Sequence, residues 1–195
     1  MKSLIKTHLR ALGIVVMLSC LALGADRPID VAHSMVRIHV GKSGLFSAAG
    51  HEHWVAAPIV EGNIAETEPQ HIWFRVEAGK MNVEDDPKVS PADQAQVQET
   101  MQTKVLYSGD YPEISFRSTS IEKNKDGWLV QGDLTLHGQT HSVSAVVHKS
   151  QNAYVGRCQI KQTDFGIKPI TVAGGTVKVK DELQVEFSIM LVPGP

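Results

Sequence analysis

The sequence predicts an all-β fold, an antiparallel up-and-down β-barrel with one helical insertion. Three observations predict it. Apolar and polar residues alternate with period two in segment after segment. Turn-forming clusters separate those segments, and only one stretch carries the chemistry of a helix start. The 195 residues, 42% hydrophobic and 21% charged, suffice for one domain with a sizeable core.

The chain begins with a different composition. Lys2, Lys6 and Arg10 precede or border an apolar run from Ala11 to Leu23, and small residues follow at Ala22, Gly24 and Ala25. A positive end, a short apolar middle and a small-residue exit mark residues 1–25 as a secretory signal peptide. The run is shorter than the roughly 20 residues of a membrane span, so an uncleaved anchor is the weaker reading, and no integral span is expected after cleavage. Lipid attachment at Cys20 is also a weaker reading, because a lipobox has Leu where Met17 stands and a small residue where Leu18 stands. The expected destination is the bacterial periplasm or the exterior. Removing the signal takes away three positive charges and no negative ones, so the net charge moves from −2 to −5. No basic stripe exists to hold nucleic acid. Cys158 is then the single cysteine of residues 26–195, so it has no partner for an intramolecular disulfide, and it reads as a small buried hydrophobe.

The strands follow in order. Val36, Ile38 and Val40 alternate with Arg37 and His39, and residues 58–65 form a weaker candidate. Ile72, Phe74 and Val76 alternate with Trp73, Arg75 and Glu77, and Ile114 and Phe116 share a face opposite Ser115 and Arg117. Leu134 and Leu136 alternate with Asp133, Thr135 and His137, and residues 153–160 are again weaker. Leu183, Val185, Phe187 and Ile189 form the cleanest stripe. Asn124-Lys125-Asp126-Gly127, His137-Gly138-Gln139-Thr140 and Ala173-Gly174-Gly175 are the turns. Ser90 with Asp93 resembles a capping box and Pro91 suits the first helical position, which predicts a helix over 91–104. Strands with one apolar face must close on themselves or pack on a second sheet. Local connections favour the barrel over the sandwich, with residues 26–195 as one domain.

An eight-stranded barrel either fills its interior with side chains or holds one small ligand. The inward stripes supply the candidate wall: Val36, Ile38, Phe74, Phe116, Leu134, Leu136, Val185 and Phe187. The order of four segments resembles the YceI-like, lipid- or polyisoprenoid-binding family of exported bacterial proteins. They are Ile29-Asp30-Val31-Ala32-His33-Ser34; Tyr111-Pro112-Glu113-Ile114-Ser115-Phe116; Gly132-Asp133-Leu134-Thr135-Leu136-His137-Gly138-Gln139-Thr140; and Thr163-Asp164-Phe165-Gly166-Ile167 with Val179-Lys180-Asp181-Glu182-Leu183. The resemblance implies a lipocalin-like barrel, an apolar tunnel for an isoprenoid or fatty amphiphile, and no enzymatic activity. No other cofactor is expected. This chain departs from the family at Ser47-Ala48-Ala49-Gly50-His51-Glu52-His53-Trp54.

That departure raises a second reading. His51 and His53 lie two apart, so on a strand they share a face. A hairpin centred near Leu45 would set His39 opposite His51 and point Glu52 away, giving three imidazoles suited to zinc or copper. Against it, no Cys or carboxylate completes a recognised ligand spacing, and a one-residue slip destroys the cluster. His33 reads as fixing a turn with Asp30, and His137 and His141 as structural residues beside a hairpin. Glu84-Asp85-Asp86 reads as a solvated loop, since the alternating ligands of a calcium loop are missing. A third reading is a filled barrel that presents Trp54 and Trp73 to a partner. No nucleophile elbow, phosphate loop or metalloprotease helix occurs in the sequence. The sequence sets no oligomeric state; a dimer is compatible with it.

Overall fold

The computed structural model describes residues 26–43, 52–68, 70–172 and 177–194. The expected signal peptide, His51 and the turn at Ala173-Gly174-Gly175 lie outside the described residues. In chain order the elements are β1 (Arg27–Pro28), β2 (Met35–Val40), β3 (Lys42–Ser43), β4 (His53–Ala56), β5 (Ile59–Ala65), β6 (His71–Glu77), β7 (Asn82–Val83), α1 (Pro91–Thr100), β8 (Glu113–Asn124), β9 (Gly127–Leu136), β10 (Gln139–Ser150), β11 (Ala153–Lys161), β12 (Thr171–Val172), β13 (Val177–Val179) and β14 (Glu182–Met190).

The main sheet runs β1-β5-β6-β8-β9-β10-β11-β14-β2-β4-β7, with every pairing antiparallel. Its two ends belong to the same strands. β1 and β2 are halves of one stave bent at residues 31–33, where Asp30 accepts from the His33 backbone and contacts its ring nitrogen at 2.8 Å. β4 and β5 are halves of a second, bent at Ala57-Pro58, and β6 and β7 of a third, bent at a short helical turn over Ala78–Lys80. The bridge between Ile29 and Leu191 and the bond from the Asp30 N–H to the Met190 carbonyl close the circuit. The result is an eight-stave up-and-down barrel, and the sandwich alternative falls. A small sheet, β12-β13-β3, stands outside the ring.

Turn chemistry follows the sequence. His137 and Gly138 both take positive φ, 52° and 71°, as a two-residue type I′ hairpin requires between Leu136 and Gln139. Ser90 caps α1 by accepting from the Asp93 N–H at 3.1 Å, with Pro91 in the first turn. The helical run extends over Pro91–Val105, as expected, but changes type on the way. It is α-helical to Thr100 and widens into a π turn over Met101–Val105, where the Leu106 N–H reaches the Met101 carbonyl at 2.9 Å. None of its residues is fully buried. Instead, Gln98 and Gln102 make four hydrogen bonds to the backbone of Ala78, Met81 and Val83, at 2.7–3.0 Å. Side-chain amides thus satisfy backbone groups of the third stave that its pairing with β4 leaves unbonded.

A second gap in the ladder lies between β10 and β11. Their pairing covers only 146–150 with 153–157, although β10 starts at Gln139 and β11 continues to Lys161. A 3₁₀ turn over Gln162–Phe165 fills the gap, and its Phe165 side chain is 1% exposed. Phe165 is the largest fully buried side chain among the described residues. Its replacement by Ala is expected to cost about 3–5 kcal/mol of stability. A denaturant titration by far-UV circular dichroism would measure this, and a loss under about 1 kcal/mol would mean that the turn does not fill the wall.

Candidate ligand-binding cavity

The inward stripes enclose a cavity of about 560 Å³. All eight residues expected on its wall line it: Val36, Ile38, Phe74, Phe116, Leu134, Leu136, Val185 and Phe187. Cross-strand register explains the assembly. Phe74 lies opposite Phe116, and Ile38 and Val36 lie opposite Val185 and Phe187, so their side chains share the inner face. The Phe74 and Phe116 rings stack at 5.5 Å. Glycines make room for the rings. A Cβ on Gly132 would fall 2.4 Å from the tip of Phe116, and one on Gly156 would fall 2.5 Å from the tip of Phe187. Both glycines therefore let a phenyl ring lie flat against the adjacent strand.

Sequence reading missed the other half of the wall. Val97 and Met101 of the helical segment line the cavity, as do Val105 and Leu106 after it. Val97, Met101 and Val105 recur four residues apart, a narrow stripe in an otherwise polar helix that was legible as helix but not as a docking face. Cys158 also faces the cavity, between β14 and the β10–β11 gap, rather than sitting in solid core. Polar lining is sparse: Lys42, His53, Gln96, Thr100, Gln162 and Lys178 contribute to it, and no Asp or Glu does. Gln162 is 4% exposed and donates to the Lys180 carbonyl at 2.8 Å, so its amide is satisfied.

His39 and His53 do not share the face expected of them, and His51 lies outside the described residues. In the β2–β4 ladder His39 pairs with Trp54 and Val40 with His53. Residues 39 and 53 are therefore on opposite faces, because the offset between the strands differs by three residues from the expected hairpin and an odd shift flips the pleat. His53 lines the cavity with Val40, while His39 lies outside. Outside, His39 meets Glu52 at 3.1 Å and the Trp54 ring at 4.8 Å, so Glu52 shares the side of His39 instead of pointing away. Among the described residues no three His, Cys, Asp or Glu side chains converge as metal ligands do. Trp54 is further covered by the Arg37 guanidinium at 4.4 Å, and neither Trp54 nor Trp73 is among the exposed large hydrophobic residues. Glu84 is no free loop carboxylate either: both of its oxygens accept from Arg37. His33 and His137 hold turns as expected, the latter donating from Nδ1 to the Phe165 carbonyl at 3.2 Å.

The end of the barrel away from α1 is polar at its rim. Glu66 accepts from the Tyr154 hydroxyl and from Arg27, which hold its carboxyl below the usual range. Burial and the Glu66 contact push the Tyr154 hydroxyl up to about 12.

The family model of the YceI-like domain matches residues 28–191. The chain belongs to the YceI-like family. Among solved structures, the YceI-like barrel is similar to Burkholderia cenocepacia BcnA at 18% identity and TM-score 0.54, covering 85% of this chain and 99% of that one. It is also similar to a polyisoprenoid binding domain from Saccharophagus degradans at 11% identity and TM-score 0.57, covering 86% and 98%. At these identities the likeness shows the fold alone. No curated protein matches the chain. No helix among the described residues is long and apolar enough to cross a membrane.

Burial pushes the Cys158 thiol of this YceI-like barrel up to about 11 from an ordinary 9. The folded state therefore favours the neutral thiol, and the neutral Tyr154 phenol likewise. Both pKa values are raised, so the stabilisation is complete below pH 9 and is lost as pH rises toward 11 for Cys158 and 12 for Tyr154. Chemical denaturation from pH 8 to 11 should show falling stability, the cysteine share amounting to about 2–3 kcal/mol at most. Cys158→Ser should flatten the fall between pH 9 and 11, and an unchanged slope would place the thiol in water.

Proposed function

We propose that the protein binds and carries a lipid-like molecule, an isoprenoid or a long-chain amphiphile, in the lumen of its barrel, without catalysing a reaction on it. The observation that carries this reading is the cavity of about 560 Å³ with an almost wholly apolar wall. Its size falls within the ~300–1,000 Å³ of small-molecule sites. A barrel of this composition could have closed on its own side chains, and this one leaves room. Family membership and the structural likeness to a polyisoprenoid binding domain support the same reading. A secretory signal over residues 1–25 would place the carrier in the cell envelope, where water-insoluble chains need a shield between membranes.

The energetics suit a carrier. Burial contributes about 0.8 kcal/mol per methylene, so a dozen methylenes offer on the order of 10 kcal/mol before the costs of immobilisation. That is tight enough to extract a chain from water and weak enough to release it to a bilayer, which offers the same apolar surroundings. The wall offers nothing like a nucleophile with a base beside it. Its one thiol, Cys158, is kept neutral by burial.

Native mass spectrometry of the protein from its host, followed by organic extraction, should reveal a bound apolar molecule. Phe74→Asp and Phe187→Asp each place a charge on the wall and should lower affinity for a fluorescent fatty acid at least 100-fold while the circular dichroism of a folded barrel persists. Folded variants that bind as the parent does would refute the lumen as the site.

A further inference from the structure

The two strands that diverge, β10 and β11, enclose a groove of about 320 Å³ on the outer surface. Ser142 and Ser144 of β10 face Gln159 and Lys161 of β11 across it, and Asp164 and Phe165 of the 3₁₀ turn form its floor. Val143 and Ile160 line both this groove and the apolar cavity, so at the gap a single layer of side chains separates the lumen from solvent. No ladder hydrogen bond between β10 and β11 must break for the layer to part, because their pairing ends at Val146 and Arg157.

The turn in the gap is fastened unevenly. On the β14 side the Gln162 N–H donates to the Asp181 carbonyl at 3.0 Å and the Gln162 amide to the Lys180 carbonyl at 2.8 Å. Thr163 donates twice to the Asp181 carboxylate, at 2.7 and 2.9 Å. On the β9–β10 side the turn accepts one hydrogen bond, from His137 Nδ1 to the Phe165 carbonyl at 3.2 Å, and otherwise packs, through the edge contact of the His141 and Phe165 rings at 5.2 Å and the Gln139 side chain against Gly166. The hydrogen bonds thus tie the turn mainly to Lys180 and Asp181 ahead of β14, while its hold on β10 is mostly packing. The other cover of the lumen, the helical segment, is tied to the third stave by the four bonds of Gln98 and Gln102.

We propose that the β10–β11 gap is a lateral portal to the lumen, through which an alkyl or isoprenyl chain enters and leaves when the Phe165 turn swings away from β10. This rests on the ligand-binding reading and adds the route. A chain slipping between two strand edges keeps apolar walls on both sides, with Val143 and Ile160 as the sill, and the polar groove outside stays with the solvated head.

The test bridges the portal without touching the roof. The full chain carrying Cys20→Ser and Cys158→Ser, with Ser142→Cys and Lys161→Cys added, is stapled across the groove by a short bis-maleimide. The probe is cis-parinaric acid, followed by stopped-flow fluorescence. Stapling should slow uptake and release at least tenfold with the ratio of the two rates unchanged, and Phe165→Leu without the staple should speed both. Equal rates before and after complete stapling, verified by mass, would overturn the portal while leaving the lumen as the site. Failure of the parent protein, with Cys158 in place, to take up the probe would overturn the ligand reading itself, and the portal with it.

Discussion

Closure of the sheet on itself is the constraint on which the rest of the structure depends. A closed ring removes free strand edges, but it demands that staves tilt and stagger in mutual register. Here the first three staves meet the demand by bending, at residues 31–33, at Ala57-Pro58 and at Ala78–Lys80. Each bend lets one half of a stave pair with one neighbour while the other half continues around the ring. Ladders run out where the third stave bends and where β10 and β11 diverge, and unpaired backbone groups there need substitutes. The amides of Gln98 and Gln102 are one substitute, and the 3₁₀ turn with Phe165 packs against the other gap. The helical insertion and the closing turn are consequences of ring closure rather than ornaments on it.

The same constraint hollows the interior. Inward positions of eight staves converge on one axis, so large side chains must be matched with absent ones. Phe116 lies over Gly132 and Phe187 over Gly156, and Phe74 faces Gly62 across the β5–β6 ladder. Stacked flat against neighbouring strands, the rings narrow the lumen without crossing it. Elsewhere the wall is Val, Ile and Leu, whose short branched side chains do not span the barrel. The interior is therefore apolar and incompletely filled at once.

Much of this was legible in the sequence because the signal was local. Period-two alternation identifies which residues face in, and all eight wall residues so identified do line the cavity. Ser90, Asp93 and Pro91 mark the helix start for the same reason, since a cap is decided within one turn. What failed depended on register across a long connection. The link from β2 to β4 contains β3 and residues outside the described ones, so its length did not reveal the pairing, and a three-residue offset moved His39 and His53 to opposite faces. The roofing role of the helical segment was hidden because its fastening runs through glutamine amides, which carry no hydrophobic period. Cys158 was read correctly as apolar in character, but whether an inward residue meets a neighbour or a void is a property of the whole ring.

An apolar wall provides affinity without identity, because every methylene contributes alike. Discrimination between ligands must come from shape and from the few polar groups. Shape is set by the rings of Phe74, Phe116 and Phe187, which leave flat slots suited to a flexible chain. The polar groups of the wall gather toward α1, β3 and the 3₁₀ turn, from Gln96 and Thr100 to Lys42 and Gln162. The far rim is engaged with itself, Glu66 being held by Arg27 and Tyr154. For the proposed ligand, with one polar and one apolar end, this distribution of wall groups favours the chain toward the rings and the head toward the helix. The groove between β10 and β11 opens on that same half of the barrel, beside Gln162. By the proposed route a chain drawn in from the side would bring its head to this half of the barrel, at the groove or at the polar groups just inside it.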